Sequence, residues 1–410
     1  MRPILIGTVL LSIAAAYYIY LPLPSTISEP WKLMFSDALI RGMMKLVRFC
    51  INPLGLFFVP SKDYLSFRIF SYFPFISYVR SQVVRVTEAS FGGVGALVFE
   101  STVAGQEQSF TRGVVYFHGG GWTLGSTKME PYFLQCMTMA EELKAVVISV
   151  EYRLAPDARF PDQYNDVFQA SKHILTAEVL GRYSIDPKRV AVSGDSAGGN
   201  LAAAVAQQVS IPIKFKVQAL VYPVLQALDF NTPSYQQNTN MPILDRPMVL
   251  RFWLEYLNGE QKLVPALLAN NHTALDQGQE IAAAKAKTDW TKLLPVAFQK
   301  SYKPVFPLQG DPKLLEKLPG LLDVRAAPLL AETKVLKAVP PAYIMTCEHD
   351  VLRDDGLMYA TRLEEAGVDV TVDHFEDGFH GCLSFAFGPF AFSVGRRSLG
   401  NYIHWLKENL

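Results

Sequence analysis

The sequence predicts an α/β fold in which helices cover both faces of a mostly parallel sheet. From about residue 80 onward, short apolar segments alternate with segments of helical periodicity, as is typical of parallel strands joined by crossover helices. Two of the apolar segments lead directly into glycine-rich turns, at residues 118–122 and 194–198. One interval between apolar segments is long enough to hold a separate group of helices above the sheet.

The predicted strands and helices follow one another along the chain. Strands are expected at residues 114–117, 146–150, 190–193, 217–222, 343–346 and 368–373. Helices are expected at residues 134–143, 168–179, 199–209, 356–365 and 398–410. The roughly 120 residues between the fourth and fifth of these strands exceed a plain crossover and contain a helical pattern at 247–257. Residues 224–340 are therefore predicted to form a cap inserted into a main domain of residues 81–410.

The first 24 residues carry a long apolar segment without charge. No charged residue occurs between Arg2 and Glu29, and residues 4–21 would span roughly 27 Å as a helix, close to the thickness of a thin bilayer. We predict a signal anchor over residues 1–24 that contacts membrane lipid, with the rest of the chain luminal or extracellular. The alternatives are a signal peptide cleaved after the alanines at 14–16 and a buried core helix; apolar residues beyond the alanines favour the anchor.

Residues 25–80 are predicted to form an N-terminal cap close to the membrane. Apolar side chains recur at spacings of three and four between residues 29 and 50, as in an amphipathic helix. Ten of the 30 residues from 49 to 78 are aromatic, against 12% of the whole chain. This stretch is interpreted either as ordinary core packing or as the apolar wall of a substrate pocket, and the sequence favours neither interpretation.

A G-x-S-x-G motif occupies residues 194–198. Five residues with three fixed positions are a weak signal alone, but here a predicted strand enters the motif and a helix rich in small residues leaves it. That placement is typical of a nucleophile elbow, a turn so tight that its flanking residues must be small. We predict that Ser196 is a nucleophile above the edge of the sheet, supported by Gly194, Asp195 and Gly198. The structural alternative is a glycine turn with an incidental serine.

A second glycine motif, HGGGW at residues 118–122, directly follows the first of these strands. Glycine allows backbone N–H groups to turn toward a ligand atom, and acyl transfer needs such donors for its oxyanion. We predict an oxyanion hole formed by the N–H groups of Gly119, Gly120, Gly121 and Ala197, with His118 orienting the loop. A phosphate-binding loop fits less well, because it would continue with Lys and then Ser or Thr.

A nucleophilic serine needs a base, and that base needs an orienting acid, in the chain order Ser, Asp or Glu, His. Among the seven histidines, His380 alone follows the last predicted strand in a glycine-flanked loop. Asp350 comes soon after the strand predicted at 343–346, whereas Glu348 lies too near it and the acids at 354–355 are expected to cap the next helix. We predict a triad of Ser196, Asp350 and His380.

Composition excludes several other classes of protein. Lys plus Arg and Asp plus Glu both number 38 in 410 residues, so the net charge is zero and no basic excess is available for nucleic acid. A hydrophobic content of 50% excludes a disordered chain. The four cysteines are too few for a disulfide scaffold. Because neither cysteines nor histidines show ligand spacing, we predict no metal and no cofactor; the sequence does not indicate an oligomeric state.

At these motifs the chain resembles the arylacetamide deacetylase and neutral cholesterol ester hydrolase family, in the hormone-sensitive-lipase branch of the α/β-hydrolases. The matching segments are HGGGW, SVEYRLAPDARFPDQYNDV, VSGDSAGGNLAAAV, HDVLRDDGLMY and EDGFHG. The resemblance implies an α/β-hydrolase fold and a type II, single-pass protein of the endoplasmic reticulum with a luminal catalytic domain. It also implies hydrolysis of esters and arylacetamides of lipophilic compounds.

Some consequences of the resemblance stay open. Relatives often have cysteine after HGGGW, where this chain has Thr123, so a disulfide from that position to Cys347 would be absent. No bridge is assigned among Cys50, Cys136, Cys347 and Cys382. Asn271 opens an Asn-His-Thr sequon and is a candidate for glycosylation on the luminal side. The alternative functions are a hydrolase of neutral lipid esters (acylglycerol or cholesteryl ester) and a silent hydrolase-fold receptor, which usually lacks a triad residue.

Overall fold

A computed structural model of the protein describes residues 2–51, 81–102, 110–208, 213–273, 278–305, 307, 310–311 and 313–410. Of the aromatic stretch at 49–78, all but the first three residues lie outside the described residues. The helix predicted at 29–50 is present as Pro30–Ile51.

Within the described residues, eight strands form one sheet in the order β1-β2-β4-β3-β5-β6-β7-β8. The β1/β2 and β2/β4 pairs are antiparallel, and all other neighbours are parallel. The predicted mostly parallel α/β sheet is therefore confirmed. The strands are β1 (Val84–Phe91), β2 (Val94–Ser101), β3 (Thr111–Phe117), β4 (Ala145–Val150), β5 (Ile185–Asp195), β6 (Val217–Val221), β7 (Ala342–His349) and β8 (Val370–Phe379).

Helices precede the sheet, cover its faces and fill the interval between β6 and β7. Among the described residues, the first six helices are α1 (Arg2–Ile19), α2 (Pro30–Ile51), α3 (Glu130–Leu143), α4 (Asp162–Ile174), α5 (Ala177–Arg182) and α6 (Ala197–Ala206). The helices between β6 and β7 are α7 (Pro233–Gln237), α8 (Arg246–Tyr256), α9 (Val264–Leu268), α10 (Gly278–Ala286), α11 (Trp290–Leu293), α12 (Val296–Gln299), α13 (Lys313–Lys317) and α14 (Thr333–Leu336). The last two are α15 (Arg353–Glu365) and α16 (Ser393–Asn409).

Side chains alternate between the two faces of the sheet and pack into a separate hydrophobic core on each face. Along β3, Val115 and Phe117 belong to one buried cluster, whereas Val114 and Tyr116 belong to the other. Residues of α4 and α6 pack into the first cluster, and residues of α3 and α16 pack into the second. Strands buried on both faces are nearly continuous apolar runs, which is why the central strands were visible in the sequence.

Two details of the predicted elements were wrong. The helix expected at 168–179 is two helices, α4 and α5, because the Thr176 side chain accepts a hydrogen bond from Val179 N (3.4 Å) and starts a new helix. The hairpin of β1 and β2 was not predicted, because β1 lies at the edge of the sheet and buries few of its side chains. A signal existed in Gly92-Gly93, whose φ angles of +60° and +87° suit a two-residue hairpin turn.

The N-terminal segment predicted as an anchor is helical over Arg2–Ile19. Among the residues that the structure describes, no helix combines the length and the hydropathy needed to cross a membrane. The chain after this helix returns to the main domain, where Ser28 N donates to Asp377 O (2.9 Å) and Thr26 Oγ1 lies 3.0 Å from His349 Nε2.

Candidate active site

Ser196 lies at the junction of β5 and α6, on a turn that only small neighbours permit. Its φ and ψ are +53° and −118°, a strained conformation for a residue with a side chain. A Cβ on Gly194 would lie 2.4 Å from the carbonyl carbon of Gly198, and a Cβ on Gly198 would lie 2.0 Å from Phe117 O. The tight packing of this turn against β3 raises the Ser196 hydroxyl above the carboxyl edge of the sheet.

Ser196, Asp350 and His380 meet at this edge because they follow the carboxyl ends of β5, β7 and β8, which run parallel in one sheet. Asp350 comes directly after β7 and His380 directly after β8. His380 Nδ1 lies 2.8 Å from Asp350 Oδ2, and His380 Nε2 lies 3.0 Å from Ser196 Oγ. With the Nδ1–H donated to the buried carboxylate, Nε2 is free to accept the serine proton.

The Asp350 turn is held from two sides. Leu352 N donates to Asp350 Oδ1 (2.8 Å), so one carboxylate oxygen faces the backbone and the other faces His380. Asn238 Nδ2, from the interval between β6 and β7, donates to Asp350 O (3.0 Å). The acid is therefore oriented partly by residues of the segment predicted as the cap.

The two acids after Asp350 are not helix caps, because α15 begins at Arg353 and includes both in its first turn. Their carboxylates are fully buried and bind the start of the β6–β7 interval. Asp354 Oδ2 accepts from Ser234 N (2.6 Å), and Asp355 Oδ2 accepts from Leu225 N (2.8 Å). Burial raises the pKa of Asp355 to about 7, against the hydrogen bonds that lower it.

Within the glycine loop at 119–121, the N–H group of Gly119 has a different role from those of Gly120 and Gly121. Gly119 N donates to Asp195 Oδ1 (2.8 Å), so this N–H is not available to an oxyanion, and the prediction for Gly119 was wrong. Gly120, Gly121 and Ala197 donate no backbone hydrogen bond to any residue that the structure describes. Gly120 and Gly121 line the pocket at Ser196. Gly120 has φ of +113°, and a Cβ there would lie 2.2 Å from Leu124 O.

The sequence predicted Asp195 only as a supporting residue of the motif; in the structure it connects the motif to the glycine loop. It is buried and accepts hydrogen bonds from Tyr116 Oη (2.7 Å) as well as from Gly119 N. Burial raises the pKa of Asp195, whereas the Tyr116 hydrogen bond and nearby histidines lower it. Because this carboxylate fixes Gly119, it sets the direction of the two glycines that follow.

His118 supports the same loop from below. Its Nδ1 lies 2.8 Å from Gly119 O, and its ring stacks on Tyr152 with centroids 4.5 Å apart. Tyr152 Oη donates to His118 O (2.7 Å). These contacts place His118 beside the loop and not beside Ser196.

An apolar pocket of about 180 Å³ opens at Ser196. Its walls include the glycine loop, α8 and the turn after His380. Trp122 fixes α8 over the loop, because its ring stacks on Tyr256 at 4.2 Å and meets Trp253 at 4.8 Å. The apolar side chains that line the pocket are Trp122, Leu124, Tyr132, Tyr222, Val224, Ile243, Leu244, Met248, Val249, Phe252, Leu352 and Phe385.

Among the described side chains, the cysteines and the glycosylation candidate Asn271 do not line the pocket at Ser196. Cys347 and Cys382 are buried free thiols with sulfurs 3.7 Å apart, and burial raises the pKa of Cys136 to about 12. The side chain of Cys50 lies outside the described residues. Asn271 is half-buried in a turn, where its carbonyl oxygen accepts from Asp311 N (2.8 Å).

Comparison with known proteins places this geometry in a family. A family model for the alpha/beta hydrolase fold matches residues 114–292 and 314–384. The chain is 53% identical over 400 residues to neutral cholesterol ester hydrolase 1 of Mus musculus, covering 97% of each protein. The chain belongs to the α/β-hydrolase family. The resemblance predicted from its motifs is confirmed.

Two further comparisons bear on activity and fold. The chain is 42% identical over 412 residues to arylacetamide deacetylase of Oryctolagus cuniculus, covering 99% of this chain and 100% of the relative. A solved thermophilic carboxylesterase from a metagenomic library matches with a TM-score of 0.61 at 24% identity, over 86% of this chain and 98% of that one, which shows the fold. This α/β-hydrolase is a carboxylic ester hydrolase.

Proposed function

We propose that the protein is a serine hydrolase that cleaves uncharged, lipophilic carboxylic esters and arylacetamides through an acyl-enzyme on Ser196. The observation that carries the proposal is the continuous relay from Ser196 Oγ through His380 to Asp350, with distances of 3.0 and 2.8 Å. The relay opens into a pocket whose walls are mostly apolar. A pocket of that kind suits substrates without charge.

Each residue has a defined task in the proposed reaction. His380 Nε2 takes the proton of Ser196 as its oxygen attacks the acyl carbon, and Asp350 stabilises the resulting imidazolium. The N–H groups of Gly120, Gly121 and Ala197 stabilise the oxyanion; the loss of one such donor typically costs about 3 kcal/mol of transition-state stabilisation. His380 then protonates the leaving group and activates water to release the acid.

Ser196→Ala tests this function directly. The variant should lose hydrolysis of p-nitrophenyl butyrate and should not be labelled by a fluorophosphonate, because both require the serine oxygen. Ser193→Ala is a matched control, since Ser193 is buried on β5 and its hydroxyl donates to Ala219 O (2.6 Å), away from the pocket. Full activity in Ser196→Ala would refute the proposal, and a wild-type chain without label would favour the silent receptor.

The substrate within this class depends on which relative the chain follows. Its identity to a cholesterol ester hydrolase, 53%, exceeds its identity to an arylacetamide deacetylase, 42%, which supports neutral lipid esters as substrates beside small aryl compounds. Purified enzyme should be compared on a cholesteryl ester, an acylglycerol and an arylacetamide. A higher kcat/KM for the lipid esters would assign the protein to lipid hydrolysis.

We also propose that α1 anchors the protein as a single-pass type II protein of the endoplasmic reticulum membrane, with the catalytic domain in the lumen. The support is that α1 exposes its apolar side chains along most of its length, including Leu10 (62%), Leu11 (76%) and Ile13 (59%). The described residues leave this surface uncovered, and a bilayer would bury it.

A further inference from the structure

The acyl group and the leaving group of an ester must lie on different sides of Ser196. During acyl transfer the carbonyl oxygen faces the N–H groups of the oxyanion hole, while His380 Nε2 protonates the oxygen of the leaving group. The leaving group therefore lies on the His380 side of Ser196. The acyl group extends from the other side of the carbonyl carbon, away from His380.

The wall on the glycine-loop side is α8. The ring of Phe252 lies so near Gly121 that a Cβ on Gly121 would be 2.4 Å from it. Met248, one turn earlier on α8, lines the same pocket and projects from the same face of the helix. Both side chains are only partly buried and line the pocket.

The wall on the His380 side comes from two other segments. A Cβ on Gly381, the residue after His380, would lie 3.6 Å from the Ile243 Cγ2 methyl. Ile243 has φ of +72°, a genuine outlier for a β-branched residue, and such strain is concentrated at ligand sites. Phe385 lines the pocket near it and packs in an aromatic group with Phe379 and Phe392, at 5.9 and 5.5 Å.

We propose that Phe252 sets the length of the acyl group, whereas Ile243 and Phe385 select the leaving group. The proposal rests on the proposed function, because it presupposes attack by Ser196 and protonation by His380. Since Phe252 stands directly against the oxyanion loop, it meets the acyl chain within its first carbons. The wall of Ile243 and Phe385 offers apolar surface to a bulky, uncharged alcohol or aromatic amine.

Phe252→Ala tests the acyl side. The ratio of kcat/KM for p-nitrophenyl octanoate to that for p-nitrophenyl acetate should rise at least about tenfold, in the range that a few methylene groups contribute in an apolar pocket. The ratio for 2-naphthyl acetate to phenyl acetate, which varies only the leaving group, should stay within about twofold of the wild-type ratio.

Ile243→Gly is the matched variant on the other side, because glycine accepts the positive φ of this position. It should change the naphthyl-to-phenyl ratio and leave the octanoate-to-acetate ratio unchanged. Equal changes of both ratios in either variant, or no change in both, would overturn the proposal. If Phe252→Ala fails to fold, Phe252→Leu gives the same comparison with less lost volume. Hydrolysis by Ser196→Ala would refute the proposed function instead, so the two failures are distinguishable.

Discussion

At the scale of single residues, the site depends on a buried carboxylate, Asp195, that holds the backbone of the glycine loop. Asp195 binds Gly119 N and Tyr116 Oη at 2.8 and 2.7 Å. By holding Gly119, it directs the next two N–H groups into the pocket. The pattern G-x-S-x-G leaves this position open to any residue, so the motif predicted Asp195 as a supporting residue but not its contact with Gly119. A glycine triplet likewise does not tell which of its N–H groups are free.

Asp195→Ala should lower kcat more than it changes KM. Removing the carboxylate leaves the buried donors Gly119 N, Tyr116 Oη and Tyr132 Oη without this acceptor, at a cost of about 1–3 kcal/mol for each donor left unpaired. The loop that stabilises the oxyanion also loses its support. We expect kcat to fall by about 10- to 100-fold, measured with p-nitrophenyl butyrate.

Two companion variants separate positioning from general destabilisation. Asp195→Asn keeps an oxygen acceptor for Gly119 N and should restore much of the lost kcat. Tyr116→Phe removes a donor but leaves Gly119 bound, so its effect on kcat should be smaller. An Asp195→Ala enzyme with unchanged kcat and only a lower unfolding midpoint would contradict the positioning role.

At the scale of elements, the sequence predicted best the strands that are buried on both faces, because burial there requires apolar residues. The central strands are apolar on both faces and were located, although β5, β7 and β8 are longer than predicted. The longer β7 and β8 bring Asp350 and His380 directly to strand ends. The β1–β2 hairpin and the short helices between β6 and β7 bury fewer side chains per residue, so their periodicity was weaker.

Replacing glycine by alanine should have opposite effects on stability at Gly198 in the nucleophile elbow and at Gly400 in α16. Gly198→Ala would place a methyl group 2.0 Å from Phe117 O, a backbone atom that cannot rotate away. We expect it to lower the free energy of unfolding by more than about 3 kcal/mol. Gly400→Ala is the control, because it is exposed in α16 with nothing within 4 Å of the new Cβ. It should raise stability by about 0.5–1 kcal/mol.

Urea titration of both variants checks this pair. The Gly198→Ala midpoint should fall well below that of wild type, and the Gly400→Ala midpoint should rise slightly. A Gly198→Ala protein with a wild-type midpoint would mean that β3 and α6 can separate at the elbow without cost, and the tight-turn account of Ser196 would fail.

At the scale of the whole molecule, the balance of 50% hydrophobic and 19% charged residues has separate origins. One part is the sheet, whose two faces pack into different clusters. Another part is α1 and α2, which expose Leu11 (76%), Trp31 (62%) and Leu46 (62%). A soluble α/β-hydrolase needs only the first part, so the second is the physical reason for expecting a bilayer.

The proposed anchor also fixes the side of the membrane on which the catalytic domain lies. If α1 is a type II anchor, the catalytic domain in sealed microsomes should resist added protease and become sensitive when detergent opens the vesicles.

Asn271 provides an independent marker, because sugar is transferred only in the lumen. In the folded chain Thr273 is 3% exposed and its hydroxyl contacts Asn270 O, so transfer must precede folding of this turn. An endoglycosidase-sensitive mass shift should therefore be present in wild type and absent in Asn271→Gln. Digestion of the domain in intact vesicles would contradict the luminal assignment.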